Sequence, residues 1–206
     1  MKFAIKDRFF DNDALVIHID CEEGETEARK LGLAVAAAVK VGESLIAKNL
    51  TGADLEGMDL RGANLEDAKL ENANLRGADL RGAVLYWASF SGADLTGAKV
   101  DDAPKIEKIH QKVFAAASAE GALYMRMWHS CETTHCQAGW VTTLAGKEGT
   151  TLENRMGTEA AATLIYLASD PEIGKMPNFY ADSATALADM KRRVEAEMRR
   201  EEARKQ

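Results

Sequence analysis

Residues 49–100 read NL-TGADL-EGMDL-RGANL-EDAKL-ENANL-RGADL-RGAVL-YWASF-SGADL-TGAKV, and this stretch decides the fold. From Ala53 onward, alanine occupies every fifth position, with Met58 as the one departure. The position directly after this alanine is mostly Asp or Asn. A second apolar position also recurs every five residues, at Leu50, Leu55, Leu60, Leu65, Leu70, Leu75, Leu80, Leu85, Phe90, Leu95 and Val100.

A period of five fits neither a helix nor a flat strand. The 3.6-residue turn of a helix would scatter every fifth residue around its axis, and the two-residue period of a strand would alternate them between faces. The pattern therefore predicts a backbone that turns a corner every five residues and points the same position inward each time.

The A-(D/N)-L-x-x pattern of residues 49–100 resembles the pentapeptide-repeat family. This resemblance implies a right-handed, square-sectioned β-helix with four repeats per coil, in which leucines stack inside and alanines fill the second inward position. At four repeats per coil, residues 51–100 make roughly 2.5 coils, a rod about 12 Å tall at strand spacing. Such a short rod has two open ends, which solenoids need to cap.

The flanking sequences are interpreted as these caps. Residues 2–9 and 14–20 alternate in hydrophobicity and predict a β-hairpin. Acidic residues 22–27 lead into a predicted helix over 26–41, which ends at Gly42 and lies with its apolar stripe over the first coil.

Beyond the repeats the pattern is helical. Asp102 as N-cap and Pro104 in the first turn predict one helix. Further helices are predicted from near Thr134 to Ala145, over 158–168 with Thr158 as cap, and after Ser183. The last one ends in a densely charged stretch, 191–206, expected to project into solvent or fray.

We therefore expect a mixed β-helix plus α fold. Residues 1–48 form an N-terminal hairpin-and-helix cap, 49–100 the pentapeptide-repeat β-solenoid, and 101–206 a C-terminal α-helical domain. A chain of this length can bury a core without disulfides, and three cysteines are typical of a reducing compartment.

The charge balance constrains the partners. The chain has 26 basic and 33 acidic residues, a net charge of −7, so no basic nucleic-acid footprint is present. Gyrase-protecting relatives are thought to mimic a DNA duplex, which requires a long acidic rod. This rod is short, and basic residues interrupt its outward positions, namely Arg61, Lys69, Arg76, Arg81 and Lys99. Direct DNA mimicry by the rod is therefore disfavoured.

One stretch, residues 128–140, combines cysteine and histidine and has three interpretations. In the first, His129, Cys131, His135 and Cys136 hold zinc, which favours such ligands, with His18 or Cys21 as outside ligands. The spacing argues against it, because neither ligand pair shows the two-to-four-residue spacer of a zinc knuckle. No other cofactor is expected.

In the second interpretation Cys136 is a nucleophile. A helix N-terminus would lower the pKa of its thiol, and His110, His129 or His135 could be the base. In the third, which the sequence favours, the stretch is structural. Cysteine packs in the core, Trp128 and Trp140 anchor it, and His135 with the threonines caps the helix. A Cys131–Cys136 disulfide would be unusual in a reducing cytoplasm.

The whole arrangement resembles small pentapeptide-repeat proteins of tailed bacteriophages and prophages. It carries a hairpin and helix, a brief rod, and a helical tail with an H-x-C-x-T-T-H-C-x-A-G-W stretch. This resemblance implies a viral or mobile-element origin. We therefore expect a non-enzymatic module that binds and inhibits a host bacterial protein of antiviral defence or DNA metabolism. The alternatives are a virion structural or decoration protein, and an enzyme or metal-dependent binder centred on His129–Cys136.

The expected location is the host bacterial cytoplasm. No apolar run reaches a membrane span, and the first residues lack the long apolar core of a secretory signal. A homodimer is the default if the chain associates, with Leu164, Ile165 and Leu167 as candidate apolar surface.

Overall fold

The computed structural model describes residues 1–10, 14–125, 129–131 and 134–205, without the side chains of 129–131 and 134. The chain forms two compact bodies, each described here by itself. The repeat body comprises residues 1–102 and 171–176, and the helical body comprises 103–170 and 177–206. The division expected from the sequence, at 1–48, 49–100 and 101–206, differs in two ways: the hairpin and first helix join the repeats, and so do residues 171–176.

The chain starts with a β-hairpin. Strand β1, Lys2–Ile5, pairs antiparallel with β2, Leu15–His18, so that Ile5 lies opposite Leu15. Ile5 is fully buried, and the Met1 ammonium donates to the Ile19 carbonyl at 2.6 Å. The hairpin continues onto the first coil, because Arg8 N donates to the carbonyl of Ala47 at 2.7 Å.

Helix α1, Glu27–Lys40, follows the hairpin close to its predicted bounds. The Thr26 hydroxyl begins it by accepting from Arg29 N at 3.2 Å. The buried face consists of Gly32, Ala34, Val35 and Ala38. This face lies on the first coil, where Asp54 N donates to the Ala28 carbonyl at 3.0 Å.

The repeats form stacked coils of 20 residues, which is four five-residue repeats. Isolated parallel bridges join residues 20 apart, from Asn49–Lys69 to Asp79–Lys99. The pairing is by isolated bridges rather than by extended strands. Backbone hydrogen bonds join each coil to the next on every side. For example, Leu50 N donates to Lys69 O at 2.7 Å. The inward leucine positions are buried from Leu45 through Leu95, whereas Val100 is half-buried.

The solenoid begins one repeat earlier than the sequence indicated. Leu45 is fully buried and its N–H donates to Asn64 O at 3.0 Å, so it starts the inner column. The A-(D/N)-L pattern misses it because Glu43 and Ser44 stand where alanine and Asp or Asn would mark the repeat.

Residues 171–176 return from the helical body to the other end of the coils. Leu95 N donates to Gly174 O at 3.3 Å, and Met176 N donates to Ala93 O at 2.8 Å. The last coil therefore receives backbone partners from a segment far away in sequence.

The first helix of the helical body, α2, spans Ile109–Ala117, so the predicted start at Asp102 and Pro104 is wrong. Lys108, with a left-handed φ of 54°, directly precedes it and has no capping side-chain bond. The cap comes from a distant residue: the Glu197 carboxylate accepts from His110 N at 3.4 Å and from Gln111 N at 3.2 Å.

Two short strands follow, β3 His129–Cys131 and β4 Thr134–His135, and then helices α3 Gln137–Leu144, α4 Gly146–Met156 and α5 Thr158–Ser169. The helix predicted from near Thr134 therefore begins later, because Thr134 and His135 are in a strand. The sequence missed α4. Gly146, with a left-handed φ of 65°, turns the chain directly from α3 into this helix. Helix α5 matches its predicted range, with Gly157 rather than Thr158 as N-cap.

Helix α6, Ser183–Ala203, begins where the Asp182 carboxylate accepts from Thr185 N at 3.0 Å. The charged end of this helix was expected to project into solvent or fray. For two of its residues this is wrong, because Glu197 is buried and Arg200 contacts Asp170 at 2.5 Å. The proposed dimer surface is also wrong, because Leu164, Ile165 and Leu167 are buried within the body. No helix in the described part of the chain is long and apolar enough to cross a membrane.

Candidate functional site

One outward column of the repeats, which contains Asp59 and Asp79, carries ion pairs. Asp59 and Asp79 lie 20 residues apart on adjacent coils. Arg61 reaches Asp59 at 2.6 Å and Arg81 reaches Asp79 at 2.6 Å. Hydrogen bonds from Arg61 hold the pKa of Asp59 at about 2, and those from Arg81 lower the pKa of Asp79. These carboxylates stay ionised at neutral pH, but their charge is locally balanced, so this column is not a continuous acidic stripe.

The charge is nevertheless unevenly divided between the two bodies. The repeat body contains 13 Lys and Arg residues against 20 Asp and Glu, a net −7. The helical body contains 13 of each, a net charge of zero. The entire net charge of the chain therefore belongs to the repeat body.

One corner of the repeat body exposes aromatic side chains. We call Phe9, Phe10, Tyr86 and Trp87 the aromatic corner; they are 60%, 67%, 40% and 64% exposed. Each repeat begins with a two-residue turn, and Tyr86-Trp87 is the turn of the repeat YWASF. In the other repeats from Thr51 onward, this turn holds polar residues or glycine.

The backbone of Trp87 is strained. Its φ is 53°, in the left-handed region that glycine occupies at the corresponding turn position of most other repeats. A bulky side chain in this region is uncommon. An exposed tryptophan that neither packs in the core nor suits its backbone indicates a role at the surface.

The Cys/His stretch has a packed core at its C-terminal end. His135 is buried and its ring meets Trp140 edge-on, at 4.7 Å between ring centres. Trp140 donates its indole N–H to Ala122 O at 2.8 Å. Cys136 is a free thiol that caps α3, its Sγ accepting from Gly139 N at 3.3 Å. The cap is therefore the thiol rather than His135 or the threonines.

The thiol of Cys136 is not activated. Burial raises its pKa to about 11, although the helix N–H of Gly139 favours the thiolate. The lowering expected from the helix N-terminus is therefore wrong, because desolvation outweighs the helix end. Such a thiol is protonated at neutral pH.

The zinc prediction falls partly outside the described residues. The backbones of His129 and Cys131 lie in β3, with His129 opposite His135 and Cys131 opposite Thr134. Their side chains, like Trp128, lie outside the description. His18 and Cys21 belong to the repeat body rather than to the body that holds His135 and Cys136. Among the described side chains, no three His, Cys, Asp or Glu residues form a group that could hold a metal.

His110, a candidate base, belongs to a buried polar network instead. Its Nε2 lies 2.9 Å from Asp170 Oδ2, and its ring stacks on Tyr166. Burial opposes ionisation of Asp170, but hydrogen bonds from His110 and the charge of Arg200 outweigh it and lower the pKa of Asp170. The network joins α2, α6 and the end of α5, so its evident effect is structural.

Neither the aromatic corner nor the buried network of His110, Asp170 and Arg200, called the Asp170 network below, was predicted from the sequence. A signal for the corner was present, since Tyr86-Trp87 replaces the polar or glycine turn of the other repeats. No sequence signal linked Asp170 to His110, which is 60 positions away.

Comparison with known proteins identifies the repeats. The family model for pentapeptide repeats matches residues 49–85 and 68–103, with eight copies. No curated protein matches the chain.

Two solved structures are similar to part of the chain. A pentapeptide repeat protein from the cyanobacterium Cyanothece is 42% identical over 29% of this chain and 41% of its own, with a TM-score of 0.28. One from the Arabidopsis thaliana thylakoid lumen is 31% identical over 30% of this chain and 49% of its own, with a TM-score of 0.24. The chain thus spans less than half of either protein. Residues 49–103, about a quarter of the chain, are a run of pentapeptide repeats, and over this stretch the family model supports the pentapeptide-repeat family.

Proposed function

We propose that this chain is a non-enzymatic protein–protein interaction module of a bacteriophage or prophage. It binds and inhibits a host bacterial protein of antiviral defence or DNA metabolism, in the host cytoplasm. The observation that carries the proposal is the location of the charge: the net −7 belongs entirely to the repeat body. The phage origin follows from the resemblance of the whole arrangement to small phage proteins.

Two further properties of the repeat body support a binding role. Hydrogen bonds of 2.7–3.2 Å join successive coils, and segments 1–41 and 171–176 contribute backbone partners at the two ends. A scaffold held in this way loses little conformational entropy on binding, because its surface is already ordered. A net charge of −7 on such a scaffold favours encounter with a basic surface on a partner.

The alternative of a cysteine enzyme receives no support from Cys136. A nucleophile needs a thiolate, and burial raises the pKa of this thiol to about 11. The virion alternative is tested by purifying virions, because a decoration protein would be recovered with the particles.

The test is affinity purification from a bacterial lysate, followed by mass spectrometry and by assay of the recovered protein. We expect one host protein in near-stoichiometric amount, and loss of its activity when the purified chain is added. The helical body's Met198→Ser variant, altered at an exposed residue, is a control that should recover the same protein. Repeated recovery of no host protein, or recovery of the chain with purified virions, would contradict the proposal.

A further inference from the structure

We propose that the aromatic corner is the anchor for a lysine- and arginine-rich segment of the protein partner. This inference rests on the proposed function and specifies the chemistry of the surface that the repeat body recognises.

The corner is built along one edge of the coils. Ala47 N donates to Glu66 O at 2.8 Å, and Asp67 N donates to Tyr86 O at 2.7 Å, so the three turns stack in successive coils. Arg8, which follows β1, joins the connection between the two hairpin strands to this edge, since its Nη1 donates to Asp67 O at 2.7 Å. The Phe9 ring lies 4.9 Å from the Arg8 guanidinium carbon. The aromatic residues therefore follow one edge from the hairpin to the third coil.

The exposed Trp87 side chain of the corner is held by a backbone conformation that is unfavourable for tryptophan. Trp87 is 64% exposed while it holds a left-handed φ of 53°, and Phe10 is 67% exposed. These rings add little to the core, which the leucine column fills. Exposed Trp and Tyr side chains are the residue types that dominate the binding energy of protein interfaces.

The net charge of the repeat body favours a basic occupant of the corner. Glu66 lies in the same edge, one coil from Tyr86, and the body as a whole carries −7. Aromatic faces attract guanidinium and ammonium groups, and Arg8 on Phe9 already shows such a contact in this corner. Phosphate groups of nucleic acids or anionic lipids would instead be repelled. A second copy docked on the same corner would bring two bodies of −7 together.

The test uses the indole N–H signals of the full chain in ¹H–¹⁵N spectra. Trp87→Gly identifies the Trp87 signal by its disappearance. The probe is a ten-residue peptide of alternating Lys and Arg, with a ten-residue Glu peptide as its control. We expect the Trp87 signal to shift on titration with the basic peptide only, while the Trp140 signal, from an indole that donates to Ala122 O, stays in place.

The matched variants separate the ring from the backbone. Asn72 is exposed and, like Trp87, has a left-handed φ, of 58°, so Asn72→Gly makes the same backbone change without removing an aromatic ring. We expect Trp87→Gly to weaken binding of the basic peptide about two- to fivefold, the range for one exposed cation–π contact, and Asn72→Gly to leave it unchanged. An unshifted Trp87 signal, or equal affinity of wild type and Trp87→Gly, overturns the inference.

The host protein recovered by affinity purification distinguishes this inference from the proposed function. If Trp87→Gly lowers the affinity of the chain for this host protein about thirtyfold or more and Asn72→Gly does not, both the proposed function and the aromatic corner as anchor are supported. Recovery that is equal for both variants leaves the proposed function intact and overturns the aromatic corner as anchor. If no host protein is recovered, the proposed function fails, and the peptide titration still decides what the corner binds.

Discussion

At the scale of single residues, Trp87 is the position where local preference and structure disagree most. Most repeats use glycine at this turn position because φ is positive there. Tryptophan adopts the same φ although its Cβ disfavours it, and the ring remains 64% exposed. The side chain is therefore retained against the preference of its own backbone.

Replacing Trp87 by glycine should leave the fold intact. Glycine fits a φ of 53°, so we expect the free energy of unfolding to stay equal or to rise by about 1 kcal/mol. Urea unfolding measures it. Leu85→Ala, two positions away at a buried inward site, is the comparison and should lose about 2–5 kcal/mol. A loss from Trp87→Gly as large as that from Leu85→Ala would mean that the ring stabilises the fold.

Cys136 should react slowly with thiol reagents. A pKa of about 11 leaves on the order of one thiol in a thousand as thiolate at pH 8, and the side chain is buried. Iodoacetamide labelling of the native protein, followed by peptide mass spectrometry, should modify the half-buried Cys21 well before Cys136. Labelling of Cys136 first would indicate an activated thiol and revive the enzyme alternative.

At the scale of elements, helix α1 approaches the first coil closely at a single residue. A Cβ added at Gly32 would lie 1.9 Å from the Asp54 carbonyl oxygen, a backbone atom that cannot move aside cheaply. The close approach also allows Asp54 N to donate to the Ala28 carbonyl at the helix N-terminal turn. Glycine within this helix is therefore a packing requirement.

Gly32→Ala should destabilise the chain even though alanine is the better helix former by about 1 kcal/mol. The clash must shift the helix off the coil, which loses buried contacts of Ala34, Val35 and Ala38. Ala36→Gly, at a half-buried position of the same helix, is the control and should lose only about 1 kcal/mol. Urea unfolding that shows Gly32→Ala as stable as wild type would contradict this packing.

The Asp170 network should make the helical body sensitive to acid. The pKa of Asp170 in the folded chain lies below its ordinary value of 3.8, so its ionised form stabilises the fold above about pH 4. This contribution is lost as the pH falls through the lowered folded pKa. Asp170→Asn leaves Arg200 and His110 without their carboxylate, and we expect a loss of about 3–5 kcal/mol at pH 7.

Urea unfolding of both proteins between pH 2 and pH 7 measures this effect. The difference between wild type and Asp170→Asn should shrink as the pH falls below 3.8. Asp189→Asn, which removes half-exposed pairs of α6 with Arg192 and Arg193, is the control and should cost under about 1 kcal/mol. A difference that is constant across this range would show that ionisation of Asp170 is not what stabilises the body.

What the sequence could predict follows from the range of the interactions. The fivefold pattern predicted the inward leucines, and Thr26 to Lys40 carry local signals that set the bounds of α1. The start of α2 was not predictable, because its cap is Glu197, some 86 positions away from Gln111. Segment 171–176 was likewise unpredictable, since only tertiary pairing places Gly174 beside Leu95.

At the scale of the whole molecule, the net charge lies on the repeat body, which contains α1, and not on the body that contains α2–α6. The repeat body carries −7 and the helical body carries none, although both contain 13 basic residues. Association with a basic partner through the repeat body should therefore weaken as salt is added, because exposed charges are screened. Isothermal titration at 50 and 300 mM NaCl measures it, and affinity that does not fall with salt would contradict an electrostatic contribution.

Hydroxyl-radical footprinting of the complex with the recovered host protein tests the central claim most directly, because it reads exposed side chains on both bodies at once. We expect the aromatic corner to be protected, in the peptides that contain Phe9-Phe10 and Tyr86-Trp87. Tyr180 and Met198, which are 58% and 47% exposed on the helical body, are internal references and should react as in the free chain. Protection of Tyr180 and Met198 with full reactivity at Tyr86 and Trp87 would show that the helical body, and not the repeat body, binds the partner.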